Sequence, residues 1–262
     1  MKRFAFFWGI IVCLSSCSIK EDRSGVPCCL KVYYDDADPD QNYKRTILAT
    51  KSGDTFVSFD TLNIADFVPI GKEVFMPKGY GSLSSIVGFE QVYYQGDTLG
   101  IRSGREYDRI WAYTSSPDCR WDTGRDSVCF YKQHAVMTIK PRHPVAGYYP
   151  YNMRIRSATK GMNIYTLEPI KGDFSAFASK NRDGTLSVVL PRQYDDSMML
   201  DIMDPNGAIE VSFKLGMMIK ASGFDWNSPN LDDLTVIIDY ASLGIKVVVE
   251  KWIEEDYGIV II

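Results

Sequence analysis

The sequence predicts an all-β protein, and three features support that prediction. Apolar and polar residues alternate over short stretches, as at Leu30, Val32 and Tyr34, where positions two apart share one face of a strand. Gly, Pro, Asn and Asp separate these stretches at strand length rather than helix length. Finally, 45% of the residues are hydrophobic and 13% are aromatic, which is enough apolar surface for a packed core.

The N-terminal segment predicts export. Lys2 and Arg3 precede an apolar run over residues 4–14 that is too short to cross a bilayer as a stable helix. The run ends Leu-Ser-Ser-Cys at residues 14–17, which resembles a bacterial lipobox. We therefore predict a signal peptide at residues 1–16 and a lipid on Cys17, whose acyl chains hold the mature protein on a membrane. The alternative is an ordinary signal peptide followed by a coincidental cysteine.

Residues 17–27 form a charged, lipidated spacer before the first strand. Lys20, Glu21 and Asp22 resemble the signal that directs lipoproteins of Bacteroidetes to the outer face of the outer membrane. A solvated spacer explains the same charges without any signal. Together with the lipobox, the motif favours a lipid-anchored protein of the outer membrane that is exposed at the cell surface.

Alternation continues through the rest of the chain and is clearest in its second half. Six sets of residues occupy one face of a predicted strand: Val57 and Phe59; Ala135, Met137 and Ile139; Leu186, Val188 and Leu190; Ile209, Val211, Phe213 and Leu215; Val236, Ile238 and Tyr240; and Ile245, Val247 and Val249. The alternation fails at residues 63–67 and 82–89, where short helical pieces are the alternative.

The proline-rich stretch at residues 141–150 predicts a domain boundary. Its three prolines fix φ and remove backbone donors, so it is not expected in the middle of a sheet. We therefore predict an N-terminal β-sandwich domain at residues 28–143 and a C-terminal one at residues 144–262, each of ordinary domain length.

The sequence closes on an apolar strand, Ile259, Val260, Ile261 and Ile262, which follows three acidic residues. One interpretation is a central strand of its own domain. The other is a strand that pairs with a neighbouring subunit by β-augmentation, with the acids as gatekeepers beside a sticky segment.

Four cysteines remain when the signal peptide and the lipid site are set aside: Cys28, Cys29, Cys119 and Cys129. An exported protein meets oxidising conditions, so disulfides are expected among them. Adjacent residues of a strand point to opposite faces, which disfavours a bridge between the first two. A bridge between Cys119 and Cys129, or from either to the first strand, is left open. The spacing does not match a zinc site, and no metal is predicted.

Composition argues against several function classes. The formal net charge is −4, which leaves no basic surface for nucleic acid. Only two histidines are present, His134 in a strand pattern and His143 in the proline-rich stretch, and no phosphate loop, zinc-helix motif or nucleophile elbow is found. We predict no catalytic residue and no cofactor. The alternative is a pair of glycosidase carboxylates, which meet in space and not in the sequence.

Several separate stretches together resemble one family. They are Cys17 with its charged spacer and Pro27-Cys28 before a strand; residues 54–60 followed by 69–74; and, in the second half, residues 189–193, 214–216, 222–226, 231–240 and Trp252. The chain resembles the FimB-like minor fimbrial anchor proteins of the fimbrillin superfamily of Bacteroidetes, the anchor lipoproteins of type V pili. The resemblance implies two tandem transthyretin-like Greek-key β-sandwich domains. Only Cys17, the lipid site, carries over as a functional residue.

The resemblance also implies a function. A protein of this family anchors a fimbria to the outer membrane, regulates or terminates its growth and contributes to adhesion. Its partners are the membrane, through the lipid, and fimbrial subunits, by strand addition, while the fibre meets a host or bacterial surface ligand. Shaft subunits of the superfamily lose an N-terminal segment by cleavage after an arginine, and Arg23 and Arg45 are the candidates here. Cleavage at Arg23 would separate the lipid from the body, so we favour an anchor over a shaft or tip subunit.

A surface glycan-binding lipoprotein is the third alternative. Sugar rings stack on exposed aromatic faces, and Trp111, Trp121, Trp226 and Trp252 are the candidates. Core packing is the competing explanation for each of them.

Overall fold

The computed structural model describes residues 23, 25–34, 45–68, 70–142, 151–239 and 244–250, with the backbone alone for residues 239 and 244–250. Several predicted sites lie outside these residues: Cys17, Lys20, Glu21, Asp22 and Ile259 to Ile262. Residues 143–150 of the proline-rich stretch lie outside them as well. The regular secondary structure of the described chain is almost entirely β-strand, arranged in four sheets, so the predicted all-β class is confirmed. None of the described helices is long and apolar enough to span a bilayer.

The strands are numbered in chain order: β1 (Cys28–Tyr33), β2 (Thr46–Ser52), β3 (Thr55–Leu62), β4 (Lys72–Met76), β5 (Gly81–Val87), β6 (Tyr93–Gln95), β7 (Thr98–Gly100), β8 (Trp111–Ser115), β9 (Thr123–Ser127), β10 (Tyr131–Lys132), β11 (His134–Arg142), β12 (Asn152–Asn163), β13 (Pro169–Phe177), β14 (Ser179–Lys180), β15 (Leu186–Pro191), β16 (Met199–Met203), β17 (Ile209–Phe213), β18 (Asp233–Asp239) and β19 (Gly244–Glu250). A 3₁₀ helix (Ile64–Asp66) and one α-helix, α1 (Leu215–Ala221), complete the described elements.

The first two sheets pack face to face. Sheet I has the order β4-β1-β9 and sheet II the order β10-β8-β5-β2-β3. Their facing side chains form one apolar core, to which β1 contributes Leu30 and Val32 and sheet II contributes Leu48, Leu83 and Val87. This core is the interior of a β-sandwich, as the alternating pattern of the first strand predicts.

Sheet II is buried on its other face as well. Ile47, Ala49 and Ile86 point away from sheet I and belong to a second core that they share with strands of the second half of the chain. Residues 46–50 of β2 are accordingly all buried. A strand covered on both faces needs no polar side, which explains the continuous run Ile-Leu-Ala in β2.

The remaining strands form sheets III and IV around the second core. Sheet III has the order β14-β15-β11-β18-β19, and sheet IV has the order β17-β16-β12-β7-β6, with β13 also paired to β12. Met137 from sheet III and Ile155 from sheet IV are both fully buried in this core.

Strand pairing crosses the boundary predicted at residues 143 and 144. The strand β11, which precedes it, lies between β15 and β18, and the β6-β7 hairpin pairs with β12. Pro141 also lies inside β11, contrary to the prediction that this proline-rich stretch avoids a sheet. The strand β11 pairs with β15 only as far as Ile139. Pro141 lies beyond that point, so its missing N–H does not cost a hydrogen bond to β15. The two-domain division stays a prediction.

Most of the predicted alternation is confirmed by burial. Each predicted inward residue of β11 and β15 is buried, and the strand at residues 244–250 is present. The 3₁₀ helix falls where a short helical piece was the alternative, with the Asn63 side chain accepting from the N–H of Ala65. Residues 82–87 are strand, so the helical alternative there is wrong. Leu215 begins α1 rather than ending a strand, because Leu215 and Ile219, four apart, share the buried helix face.

His134 is a structural histidine at the start of β11. Its ring is 1% exposed, Nδ1–H donates to the carbonyl of Ile110 at 3.0 Å, and the ring packs edge-on against Trp111 at 4.8 Å between centroids. Burial lowers the pKa of His134 to about 4, with nearby Lys132 and Arg109 acting in the same direction.

We expect this buried imidazole to make the fold less stable in mild acid. The unfolded histidine, with a pKa near 6.5, takes up a proton between about pH 6.5 and pH 4, whereas the folded one stays neutral, so stability falls as the pH falls through that window. The contribution of His134 between pH 7 and pH 5 is roughly 2 kcal/mol of unfolding free energy. Urea denaturation at both pH values measures it, with His134→Gln as the variant that does not titrate. Equal losses in the two proteins would show that another group is responsible.

Candidate functional site

The first strand occupies the centre of sheet I. It is antiparallel to β4, from the pair Cys28 and Met76 onward, and parallel to β9, from the pair Cys29 and Thr123 onward. Both of its backbone edges are therefore hydrogen-bonded. The strand begins eleven residues after Cys17, the predicted lipid site.

Ion pairs hold the chain where it enters this strand. The carboxylate of Asp122 accepts from Arg23 at 3.0 Å and from Lys78 at 2.5 Å. These hydrogen bonds, that of Lys78 first, lower the pKa of Asp122 below its usual range. The backbone carbonyl of Asp122 also accepts from the N–H of Cys29 at 2.8 Å. Residue 122 thus joins the entering chain to the loop before β9.

The surface beside this entry exposes aromatic and basic side chains. Trp121 is 70% exposed and Tyr80 is 62% exposed, with the Arg120 guanidinium 4.8 Å from the tyrosine ring centroid. A shallow cleft of about 500 Å³ is lined by Arg23, Lys78, Arg120, Trp121 and Asp122. We call these five residues and Tyr80 the entry surface.

The structure brings together two of the four cysteines among which disulfides are predicted. Cys28 and Cys119 are fully buried in the core of the first sandwich, and their thiols are in hydrogen-bonding contact. Burial, followed by the contact with Cys28, raises the pKa of the Cys119 thiol to about 12. Cys29 and Cys129 are half-buried, and Cys129 contacts the hydroxyl of Tyr131.

A half-buried arginine connects the two halves of the chain. The guanidinium of Arg192, just after β15, donates to the side-chain carbonyl of Gln133 at 2.8 Å, to the backbone carbonyl of Ser228 at 2.9 Å and to that of Trp226. Burial lowers the pKa of Arg192. The three acceptors come from segments 34 to 59 residues away along the chain, so one side chain fixes their relative positions.

Asp233 makes a second connection in the same region. Its Oδ1 accepts from the Lys132 ammonium at 2.6 Å and from the backbone N–H of Val136 at 2.6 Å. The backbone N–H of Lys132 donates in turn to the side chain of Asn230 at 2.8 Å. The short strand β10 of sheet II is thereby tied to the loop before β18 of sheet III.

A third connection surrounds an open cleft of about 510 Å³. The Glu106 carboxylate accepts from the N–H of Val189 at 3.1 Å, and the N–H of Tyr107 donates to the carbonyl of Val189 at 3.1 Å. Asp108, 6% exposed, accepts three backbone N–H groups from residues 90–92 at 2.7 to 2.9 Å. The carboxylates of Glu106 and Asp108 are thus engaged in holding backbone, which is a structural role.

Each sheet of the described part of the chain ends in edge strands, and β3 and β17 are two of them. The eight-residue strand β3 has β2 as its one neighbour and exposes 58% of Phe56. The strand β17 has β16 as its one neighbour, and Ile209 is 48% exposed. Unpaired backbone groups along such edges are the chemistry that strand addition requires.

The predicted absence of a metal site can be compared with the described residues, as can the tryptophans proposed for sugar stacking. Across the described ranges, no three His, Cys, Asp or Glu side chains converge to hold a metal ion. Trp111 packs on His134, and Trp226 packs on Phe224 at 4.6 Å between ring centroids, so both are packing residues. Trp121 is exposed, and Trp252 lies outside the described residues.

Solved structures share this arrangement of sheets. A candidate adhesin of Bacteroides ovatus matches with a TM-score of 0.61 and 12% identity over 88% of this chain and 96% of that one. The fimbrial anchor protein Mfa2 of Porphyromonas gingivalis matches with a TM-score of 0.56 and 10% identity, over 88% of this chain and 99% of its own. The chain has the fold of a fimbrial anchor protein. The resemblance inferred from the sequence is confirmed at the level of the fold.

One further structural neighbour is described as polysaccharide-binding and not as an adhesin or an anchor. A structure of candidate polysaccharide-binding proteins of Bacteroides thetaiotaomicron matches with a TM-score of 0.58 and 10% identity, over 88% of this chain and 98% of that one. No protein-family profile matches the chain, and no curated protein matches it. The solved structures named here are adhesion, fimbrial and polysaccharide-binding proteins. At such low identities the likeness concerns the fold alone.

Sequence reasoning missed the polar residues that connect the halves. Arg192, Gln133 and Asp233 lie beside strand ends, where charged residues are ordinary, so their spacing carries no signal. One signal was available: Gln133 and His134 directly precede the apolar face of β11, and a polar residue beside a buried strand needs a partner.

We expect Arg192→Ala to lower the free energy of unfolding by about 2–3 kcal/mol, because the buried side-chain carbonyl of Gln133 and two backbone carbonyls lose this donor. Chemical denaturation of the purified protein measures the loss. Arg182→Ala, in the exposed turn before β15, is the matched control and is expected to change stability by less than about 0.5 kcal/mol. A loss at residue 192 no larger than that at residue 182 would contradict a connecting role.

Proposed function

We propose that the protein is an outer-membrane surface lipoprotein that anchors a fimbria to the cell and regulates or terminates its assembly. The observation that carries the proposal is the position of β1. The strand that follows the predicted lipid site at Cys17 is the central strand of its sheet. The fold shared with a fimbrial anchor protein supports the same function.

A central first strand suits a protein under tension. Ladder hydrogen bonds run across the strand direction, so a pull along β1 loads the bonds to β4 and β9 together instead of opening them one at a time. Its inward side chains are buried, and withdrawing the strand would expose them to water. The lipid is therefore attached to a part of the fold that resists extraction.

The entry surface supports a membrane-proximal orientation for this end. Arg23 lies six positions after Cys17, and such a tether reaches at most about 20 Å. Trp121, Tyr80 and the nearby basic residues are of the types found at membrane interfaces. We infer that the entry surface faces the membrane, while the open edges of β3 and β17 are available to a fimbrial subunit.

The shaft-subunit alternative requires a cut after Arg23 or Arg45. The first cut would remove the lipid. The second would leave β1 without a chain connection to the body while it still fills the centre of sheet I. An anchor keeps both arginines in one uncut chain, so the mass of the envelope protein distinguishes the two functions.

The glycan-binding alternative has a specific basis in the polysaccharide-binding neighbour and in the exposed ring of Trp121. It differs from the anchor in one respect that can be tested. A glycan binder needs no fibre, so loss of its lipid leaves fimbriae attached to the cell.

We expect Cys17→Ala to release fimbriae from the cell, because the lipid site is lost while the fold is unchanged. Electron microscopy of cells and spent medium counts attached and shed fibres. Cys13→Ala, four residues earlier in the predicted signal peptide, is the matched control and keeps the fibres attached. Shed fibres that are also longer than normal would support control of assembly. Attached fibres of normal length would contradict the anchor function and favour glycan binding.

Strand addition by the C-terminus is proposed for the apolar segment Ile259, Val260, Ile261 and Ile262. The strand β19 is the last strand of sheet III in the described chain, and this segment follows it by eight residues. Deletion of residues 259–262 is expected either to abolish subunit binding or to lower the melting temperature. Pull-down of fimbrial subunits and thermal denaturation separate these effects, and unchanged values in both would exclude a role for the segment.

A further inference from the structure

The contact between Cys28 and Cys119 joins two distant parts of the chain. Cys28 is the first residue of β1, and Cys119 lies in the loop between β8 and β9, where its backbone exchanges hydrogen bonds with Gly79 at 2.8 and 3.3 Å. Both side chains are fully buried and belong to the core of the first sandwich. The thiols therefore meet in a dry, fixed environment.

A glycine makes room for this contact. Gly124 of β9 lies beside Leu30 in the register, and a Cβ at residue 124 would be 3.3 Å from the Sγ of Cys28 and 3.4 Å from the carbonyl oxygen of Asp118. These distances place the sulfur of Cys28 next to the residue that precedes Cys119. The two cysteines are thus brought together by the backbone as well as by their thiols.

We propose that Cys28 and Cys119 form a disulfide in the exported protein. The two thiols exchange with the disulfide of an exported protein oxidant: one S–S bond forms here, one breaks in the oxidant, and the oxidant leaves with two thiols. Such exchange is the ordinary route to disulfides outside the cytoplasm. The oxidation takes place before or during closure of the core, since both sulfurs are buried afterwards.

The other two cysteines remain thiols in the monomer. Cys29 points to the opposite face of β1 from Cys28. Cys129 follows the far end of β9, where Ser127 pairs with Tyr33, which is roughly 16 Å along the strand from the end that holds Cys28. The local Cys119–Cys129 bridge that the sequence left open therefore does not fit this geometry.

The disulfide has a mechanical consequence, which rests on the proposed anchor function. A pull on the lipid reaches the body through residues 18–27 and then Cys28. A covalent bond at Cys28 transfers that load to the loop before β9 at once, without relying on the hydrogen bonds of β1. The same bond would hold β1 in place after a cut at Arg45.

The test is to trap the thiols of the full-length protein in intact cells with an alkylating reagent, purify it without reductant and digest it with trypsin. We expect the peptide of residues 24–31 linked to that of residues 110–120, with fragmentation assigning Cys28 rather than Cys29, and an alkylated Cys129 in the peptide of residues 126–132. Alkylated Cys119, or a link from Cys119 to Cys29 or Cys129, would overturn the proposal.

A stability measurement provides an independent readout. Cys119→Ala is expected to lower the melting temperature of the oxidised protein by roughly 10 °C, because the bond closes a loop of about 90 residues. Cys29→Ala, one residue from the bond, is the matched control and leaves the melting temperature nearly unchanged. After full reduction the difference between wild type and Cys119→Ala is expected to shrink to a few degrees. A difference that persists unchanged after reduction would show that Cys119 acts by packing alone.

The same digest separates this proposal from the anchor function. A lipid mass on the N-terminal peptide at Cys17 reports the anchor, and the linked peptides report the disulfide. Lipidated protein with alkylated Cys119 overturns the disulfide and leaves the anchor. Linked peptides in a protein without lipid support the disulfide and contradict the anchor function.

Discussion

Burial of both faces of sheet II is the constraint on which the rest of the structure depends. One face completes the first sandwich through Leu48 and Leu83, and the other contributes Ile47 and Ile86 to the core of the second half. Neither half can close its core without this sheet. The half-buried connections at Arg192, Asp233 and Glu106 lie around the same contact, and they provide hydrogen-bond partners for polar groups at its margin.

The packing of sheet II against both cores determines how a force on the first strand is distributed. The strand β1 packs on sheet II, sheet II packs on the second core, and the open edges of β3 and β17 belong to sheets that meet in that core. A force applied at the N-terminus is therefore distributed through packed layers and not through a flexible link. For the proposed anchor, which would join a membrane to a fibre, that continuity matters more than any single contact.

Local patterns predicted the strands well and their partners poorly. Alternation at Ala135, Met137 and Ile139 identified β11 and its buried face, because side-chain direction follows from sequence spacing alone. Its pairing with β15 and β18 depends on residues 47 to 97 positions away, and so the proline-rich stretch that begins inside β11 gives a misleading signal for the end of a sheet. The sequence allowed a bridge between Cys119 and the first strand as one of several alternatives. Selecting Cys28 as the partner of Cys119 required the parallel register of β1 and β9. The buried ion pair of Asp201 with Arg154 and Arg156 left no trace in the pattern for the same reason.

The parallel pairing of β1 with β9 also determines when the protein can fold. Cys29 pairs with Thr123, 94 residues later, and such long-range pairing makes folding slow. If the chain is exported from its N-terminus, as proposed, the apolar face of β1 emerges early and has no partner on one side until residue 127 has followed. During that interval Leu30 and Val32 are exposed to water and to other chains. The strand that the proposed anchor function would load is thus also a strand that a chaperone would have to protect during export.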